Sequence, residues 1–410
     1  MDINDLPPEL ITCIFCRLPG KDLATVAQTC KKFHEASLVE AIWLLKCKEE
    51  FGVSAELQGP DVESYRQLYT KVLYPYGHLL GVWQPQMGPY GGLVKIQITG
   101  GIIKAIQYIT PVDPKVYLPL RTKDLFQVRF DPQEGLAHVE CLKGKNGPHK
   151  LQIMANSSKP EPEFTVKCCK PEKHNSSVSQ RGSIQEFRDW IMEEINAEPG
   201  EFVIQNFDFH LDLLKMKYIK LREYDSICTF KGLEPPKAID NMPIQPGIFK
   251  GTYGGHGIEL IYVTYDGNRI KGIKISGDPN VPATKVSLEV HLDEPMVLDL
   301  AQQESIFALE ELDLEVVRTS SDETQTSQPF HLPFEVHDRG MTLLGQETGL
   351  NLGRCKQRFY GTGLIAMSGF RDAERTPAHC IIFNDDVMAF LWLKLRSVSI
   401  YSRVKEDVWS

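Results

Sequence analysis

Between Leu6 and Leu45 the apolar residues recur at three- and four-residue steps. Ile11, Ile14, Phe15 and Leu18 come first, then Leu23, Val26, Ala27, Cys30 and Phe33, then Trp43 and Leu44. That spacing lines one face of a helix. Pro7 and Pro8 suit a helix start, because a proline's missing N–H would be unpaired there anyway. Pro19-Gly20 ends this helix, Asp22 is placed to cap the next, and the stripe predicts a single helix over 22–35. Three short helices barely bury their own stripes, which leaves an apolar face for a partner. Tyr65, Leu68, Tyr69 and Val72 carry a helical face through 61–73, until Pro75 and Gly77 break it.

From His78 onward the period shortens to two. Runs rich in β-branched residues at 93–98, 102–108, 125–130 and 137–141 alternate with Gly and Pro, and Gly100-Gly101 marks a hairpin. Helical patterns at 183–195 and 207–222 interrupt them. Strand-like runs then resume at 247–251, 259–265, 269–275, 286–292, 312–318, 358–366, 380–384, 389–395 and 397–404. The polar stretch 319–328 predicts a mobile loop. Many strands with few helices favour a closed barrel, since closure removes exposed edges. The expected class is α+β: an all-helical segment over 1–50, a helical linker over 51–77, and one large antiparallel β-barrel with a few packed helices over 78–406.

A formal net charge of −9 over 410 residues argues against nucleic acid as the main partner, because gripping a phosphate backbone takes a basic surface. The first ten residues are acidic and lack an apolar core, so no secretory signal is expected. No stretch approaches the roughly 20 apolar residues that cross a bilayer, and no membrane partner is expected. The expected location is cytoplasmic or nuclear, where ten cysteines are not a disulfide framework. Cys13, Cys16, Cys30, Cys47 and Cys380 lie in apolar contexts and read as small core residues.

Chemistry is sparse. No P-loop, GxSxG elbow or HExxH motif occurs, and no pair of acids is placed by the sequence. The glycine-rich 251–257 stretch has no following helix or Lys-Ser/Thr. It fits a tight barrel turn, or backbone exposed to a peptide, better than a phosphate loop. Cys141, His149, Cys168 and His174 offer two thiolates and two imidazoles, a set suited to four-coordinate structural zinc. Their spacings of eight and six residues are not those of a zinc finger, and two buried cysteines with two surface histidines would look the same. Tyr253, His256, Asp278, Asn280, Tyr360 and Thr362 sit in Gly- or Pro-rich stretches, where they either line a substrate pocket or shape turns. Tyr90 and Trp83 either wall such a pocket or fill the core.

The order Leu-Pro-x-Glu-Leu from Leu6, Ile-Phe-x-x-Leu from Ile14, Asp-Leu-x-x-Val-Ala-x-x-Cys-Lys-x-Phe from Asp22, then Trp43, resembles an F-box. That module docks substrate receptors on the Skp1 adaptor of cullin-RING ubiquitin ligases. The resemblance assigns Skp1 contact to Leu6, Pro7, Leu10, Ile14, Leu18, Leu23, Val26, Cys30, Phe33 and Trp43. Farther on, HLLGVWQPQMGPYGGL, PGIFKGTYGGHGIELI, KISGDPNVPA, FYGTGLIA, ERTP and YSRV resemble the F-box only protein thirty-one family. This implies a single β-barrel substrate-binding domain without catalytic groups of its own, with Skp1, cullin and RING partners. It implies recruitment of proteins ending in a carboxy-terminal amide, and of D-type cyclins through their carboxy-terminal end. A family Cys/His zinc site falls on Cys141, His149, Cys168 and His174, with Cys168 rather than Cys169 as ligand. An amide has no charge, so its pocket must lack a neutralising cation. Lys250, Lys274 and Arg358 lie beside the candidate turns, and any one pointing inward would pair with a carboxylate and erase the preference. The alternatives are an F-box-linked β-barrel enzyme or small-ligand carrier, and a docking scaffold without turnover.

Overall fold

Pro8 opens the first helix, α1 (Pro8–Phe15), with Pro7 as its cap. The computed structural model of the chain describes residues 6–53, 61–111, 113–144, 146–155, 162–174, 184–194, 208–312, 327–336 and 340–409. The single helix expected over 22–35 is two, α2 (Gly20–Val26) and α3 (Lys31–Ser37). The break comes at Cys30, which turns extended while its Sγ accepts from Phe33 N at 3.4 Å and so caps α3. Asp22 lies inside the first turn of α2 and caps nothing. The fourth helix, α4 (Glu40–Phe51), ends on Gly52 at φ +70°, a conformation glycine adopts without strain.

Ile11, Phe15, Leu23, Ile42 and Trp43 pack with Leu68, Tyr69 and Val72 of the linker. The linker helix is π-helical over Leu68–Leu73, and its predicted face of Tyr65, Leu68, Tyr69 and Val72 is buried. The same apolar cluster continues through Trp83, Val94, Phe126 and Phe164, so the helical segment and the strands behind it share one core. Cys47 and Cys380 are core residues as expected, whereas Cys13 is exposed and Cys16 and Cys30 are half-buried.

The class holds, with helices first and antiparallel barrel strands after, but the strands close twice rather than once. The first eight-stranded barrel comprises β1 (Gly81–Pro85), β2 (Leu93–Thr99), β3 (Ile102–Ile109), β4 (Arg121–Asp131), β5 (Leu136–Cys141), β6 (His149–Ala155), β7 (Glu163–Cys168) and β8 (Ile227–Leu233). Here β8 pairs with β7 on one side and with β1 on the other, at Val82↔Leu233. Both edges are then used, and the next strand has nothing to join.

The second barrel starts afresh with β9 (Gly247–Thr252), β10 (Ile258–Asp266), β11 (Arg269–Lys274) and β12 (Val286–Pro295). A two-stranded ribbon, β13 (Gln328–Pro329) with β14 (Arg354–Cys355), stands outside it. Then β15 (Gln357–Met367), β16 (Arg371–Ile382), β17 (Val387–Trp392) and β18 (Ser397–Arg403) complete the ring through Tyr401↔Gly251. Phe249, Phe359, Phe390, Trp392 and Tyr401 fill it. The strand-like run over 312–318 and the predicted loop over 319–328 lie largely outside the described residues. Gln328, at the end of that loop, is instead a buried strand residue.

The barrels meet along a seam of main-chain bonds. Gly277 N donates to Tyr90 O (3.0 Å), Ala283 N to Pro89 O (2.8 Å) and Gly92 N to Ile275 O (3.1 Å). The Gln84 side chain donates to Ile275 O at 2.8 Å. The β1–β2 connection of one barrel is thereby fixed to the 275–283 loop of the other.

Candidate functional site

That loop contributes to a buried polar constellation of the second barrel. On β10, Glu259 shares with Ile261 and Val263 the face that points inward, an odd place for a carboxylate. Lys274 ends β11 and is 1% exposed. Its Nζ lies 2.5 Å from Glu259 Oε2 and 2.7 Å from Asp278 Oδ2, and 4.2 Å over the Tyr253 ring. Asp278 Oδ1 accepts from Asn280 N (2.6 Å) and Val281 N (3.0 Å), which fixes the turn. Asn280 Nδ2 donates to Ala366 O at 2.9 Å. His256 Nε2 stands 3.8 Å from Asp278 Oδ1, on a turn held by Tyr253 N donating to Gly257 O. Gly257 has φ +77°, which a side chain would strain.

Burial pushes the Glu259 carboxyl well above the ordinary carboxylate range, against the pull of Lys274. Burial works against Asp278 as well, yet the Lys274 charge and the Glu259 contact hold it down to about 2. Burial opposes the charge on Lys274, but Glu259, Tyr253 and Asp278 together raise it above its usual value. His256 is lowered by burial, with Asp278 offsetting only part of that, so its ring is neutral at pH 7. The cation of this site is therefore already paired, and the ionised carboxylate nearest His256 is Asp278.

Four of the six proposed substrate residues, Tyr253, His256, Asp278 and Asn280, converge here. Tyr360 and Thr362 do not: 360–363 lies within β15 and is no turn. Phe359 takes the inward face, so Tyr360 packs on the outer layer, its ring 5.3 Å from that of His291. Thr362 lies against Arg375 on the exposed side of the sheet. Of the three cations beside the turns, Lys274 does point inward, but into two carboxylates. Lys250 Nζ is spent on Leu118 O at 2.5 Å, and Arg358 on Gln303 and His379. Tyr90 sits half-buried beside the site on the seam, its hydroxyl pushed up to about 12 by burial and then by the Asp278 charge. Trp83 is core of the first barrel, bonded to Leu79 O. Glu259 is the functional candidate that the sequence pattern missed; its signal was a lone acid among Ile258, Leu260 and Ile261.

At one end of the first barrel Cys141 closes β5, His149 opens β6, Cys168 closes β7, and His174 ends the short turn Pro171–His174. Their four donor atoms all lie within 4.8 Å of one another. His149 Nε2 is 3.1 Å from both Cys168 Sγ and His174 Nε2, and His174 Nε2 is 3.3 Å from each sulfur. His149 Nδ1 faces Gly147 O at 3.2 Å. A carbonyl only accepts, so Nδ1 keeps the proton and Nε2 offers a bare lone pair to the cluster. These separations approach the ~3.3–3.7 Å edges of a tetrahedron with bonds of about 2.0–2.3 Å. Burial pushes the Cys141 thiol up to about 11 and the His174 imidazole down to about 4, the neutral forms expected of a set without a cation. Cys169 is exposed and outside the set. Gly144 (φ +83°) passes so close to His174 that a Cβ would come 2.6 Å from its Cα.

On the helical segment, Leu10 and Ile14 are 50% and 39% exposed, one turn apart on α1 beside exposed Pro7. Leu6, Leu18, Val26, Cys30 and Phe33 are half-buried at its margin. Leu23 and Trp43 are buried, so they support that face from behind instead of forming it.

Residues 3–48 match the family described as F-box-like, and residues 203–408, which include the whole second barrel, match the one described as Cyclin D1 binding domain. The chain is 36% identical over 440 residues to F-box only protein 31 of Rattus norvegicus, covering 98% of this chain and 84% of that protein. Against F-box only protein 31 of Homo sapiens it is 35% identical over 467 residues, 98% of this chain and 83% of that one. Against F-box only protein 31-B of Xenopus laevis the identity is 35% over 446 residues, 98% of this chain and 83% of that one.

Proposed function

The chain belongs to the F-box only protein 31 family, and we propose that it recruits proteins ending in a carboxy-terminal amide to a Skp1–cullin–F-box ubiquitin ligase. The observation that carries the amide is the pairing of Lys274. An amide end brings two N–H donors and an acceptor, without charge. Asp278 accepts, and neutral His256 serves on either side. A free carboxylate would instead face ionised Asp278, with the nearby cation Lys274 already paired with it. The match to a cyclin D1 binding domain supports D-type cyclins as a second substrate class, engaged through their carboxy-terminal segment. Ubiquitin transfer falls to the RING subunit and its conjugating enzyme; this chain holds the target. All ten cysteines are free, which supports a reducing cytoplasmic or nuclear setting.

Cys141, His149, Cys168 and His174 are a structural zinc site in this proposal, supported by donor set, spacing and the His149 tautomer. Bound zinc would keep both cysteines as thiolates and tie the β5–β6 connection to the one after β7.

Three outcomes are expected. Replacing Leu10 and Ile14 together with Glu weakens Skp1 capture by roughly thirtyfold or more, the scale of losing a buried anchor, while the barrels keep their melting temperature. Unchanged capture in a titration places the contact elsewhere. Metal analysis of purified protein gives one equivalent of zinc that Cys168→Ala loses, and chelation lowers the melting temperature; metal-free protein with unchanged melting contradicts the site. In fluorescence anisotropy, one peptide made in both terminal forms binds about ten- to hundredfold tighter as the amide, the range set by burying an unpaired charged end. Equal affinity, or a preference for the acid, overturns amide selectivity.

A further inference from the structure

Next to the Cys/His set, the first barrel has a cavity of about 60 Å³, lined by Leu125, Phe126, Leu151, Val166 and Phe230. Its polar lining includes Lys143 and Asp225. This is room for the end of one aliphatic side chain, since a single water takes about 30 Å³. Lys143 lines it, and four more lysines lie nearby on β6, β7 and the turn after β7, with Lys150 and Lys167 on the outer face of the barrel wall. Lys150, Lys167 and Lys170 are exposed, Lys143 and Lys173 half-buried, and none of the five forms an ion pair among the described residues.

They are held on a fixed frame. Cys169 N donates to Lys150 O (3.0 Å), Lys170 N to Cys168 Sγ (3.4 Å) and Asn146 Nδ2 to Lys173 O (3.1 Å). Nearby acids are fewer than the five lysines: Glu140, opposite Lys150 in the β5–β6 register, with Glu172 and Asp225. In a chain of net charge −9, so local an excess of unpaired cations adds self-repulsion that folding does not require.

We infer that this end of the first barrel is a second docking surface, for an acidic protein segment that places one apolar side chain in the cavity. The lysines supply steering and orientation, and the cavity supplies selection. Nucleic acid fits less well, because the overall charge repels a polyanion at range and the cavity suits an aliphatic group, not a stacked base. The surface lies on the other barrel from the chain-end site and does not depend on it.

The test uses the full chain and a fluorescein-labelled peptide of Asp and Glu with one central Leu. Binding should saturate and weaken between about 50 and about 200 mM salt. Lys150→Glu, Lys170→Glu and Lys173→Glu combined should weaken it about tenfold or more at unchanged melting temperature, because three attractions to the acidic peptide become repulsions. Ser in place of the peptide's Leu, which leaves the protein untouched, should weaken it about fivefold or more. Absence of binding, a triple variant that binds as well as the parent, or equal affinity for the Ser peptide overturns the inference. So does displacement of the peptide by poly-uridine at equal concentration, which would make the surface a nucleic-acid site.

Discussion

A lysine ammonium with 1% exposure stays charged only if its surroundings replace water, and the second barrel is built to do so around Lys274. Glu259 reaches it from β10, Asp278 from the following loop, and the Tyr253 ring covers it from the turn after β9. Removing any one charged partner would leave an uncompensated buried group, at a cost of about 3–5 kcal/mol. The same short segment holds the molecule together in another way. The carbonyl of Ile275 accepts from Gln84 and Gly92 of the first barrel, and Gly277 N donates to Tyr90 O. The ion cluster and the seam therefore share one loop, which puts the proposed recognition chemistry where the barrels join.

The remaining architecture joins the helical face to the first barrel, and through the seam to this loop. One apolar core runs from Phe15 and Trp43 through Leu68 and Val72 into Trp83 and Phe126. A receptor that presents a target to a distant transfer enzyme needs this continuity, because slack between docking face and target site would blur where the target sits. The helix Asp208–Arg222 adds a further tie by packing against the Gly254–His256 turn. At the end of the first barrel that also carries its β1–β2 connection, the Cys/His set brings the β5–β6 connection and the turn after β7 together.

Much of this was legible in the residues, for physical reasons that differ by element. The amphipathic stripes of α1 and the linker helix, and the β-branched runs of β2, β3, β10 and β11, declare their period. Strand β7 alternates as well, burying Phe164, Val166 and Cys168 with Lys167 outward, but it has few β-branched residues and carries the period in only six positions. Closure into two rings was invisible: it depends on β8 pairing with β1, a choice of edge that no local pattern encodes. The Cys/His set was legible from ligand type, its geometry only from the fold. Asp278, Asn280 and His256 announced themselves by their Gly and Pro neighbours. Tyr360 and Thr362 carried the same local signal, but the strand period turns both outward. Glu259 was hidden because a single acid in an apolar strand looks like the solvent face of an edge strand until its partner Lys274 is located.

The central claim is that the charge on Asp278, balanced by Lys274, selects the chemistry of the bound chain end. The most direct measurement is the ratio of acid to amide dissociation constants for one peptide, on the native chain and on Asp278→Asn. Asparagine keeps the size and a carbonyl acceptor but removes the charge that faces the peptide. The account predicts that the ratio, well above one in the native chain, falls severalfold in the variant as the acid end gains and the amide end weakens. An unchanged ratio, with both forms bound as before, would show that selection lies elsewhere.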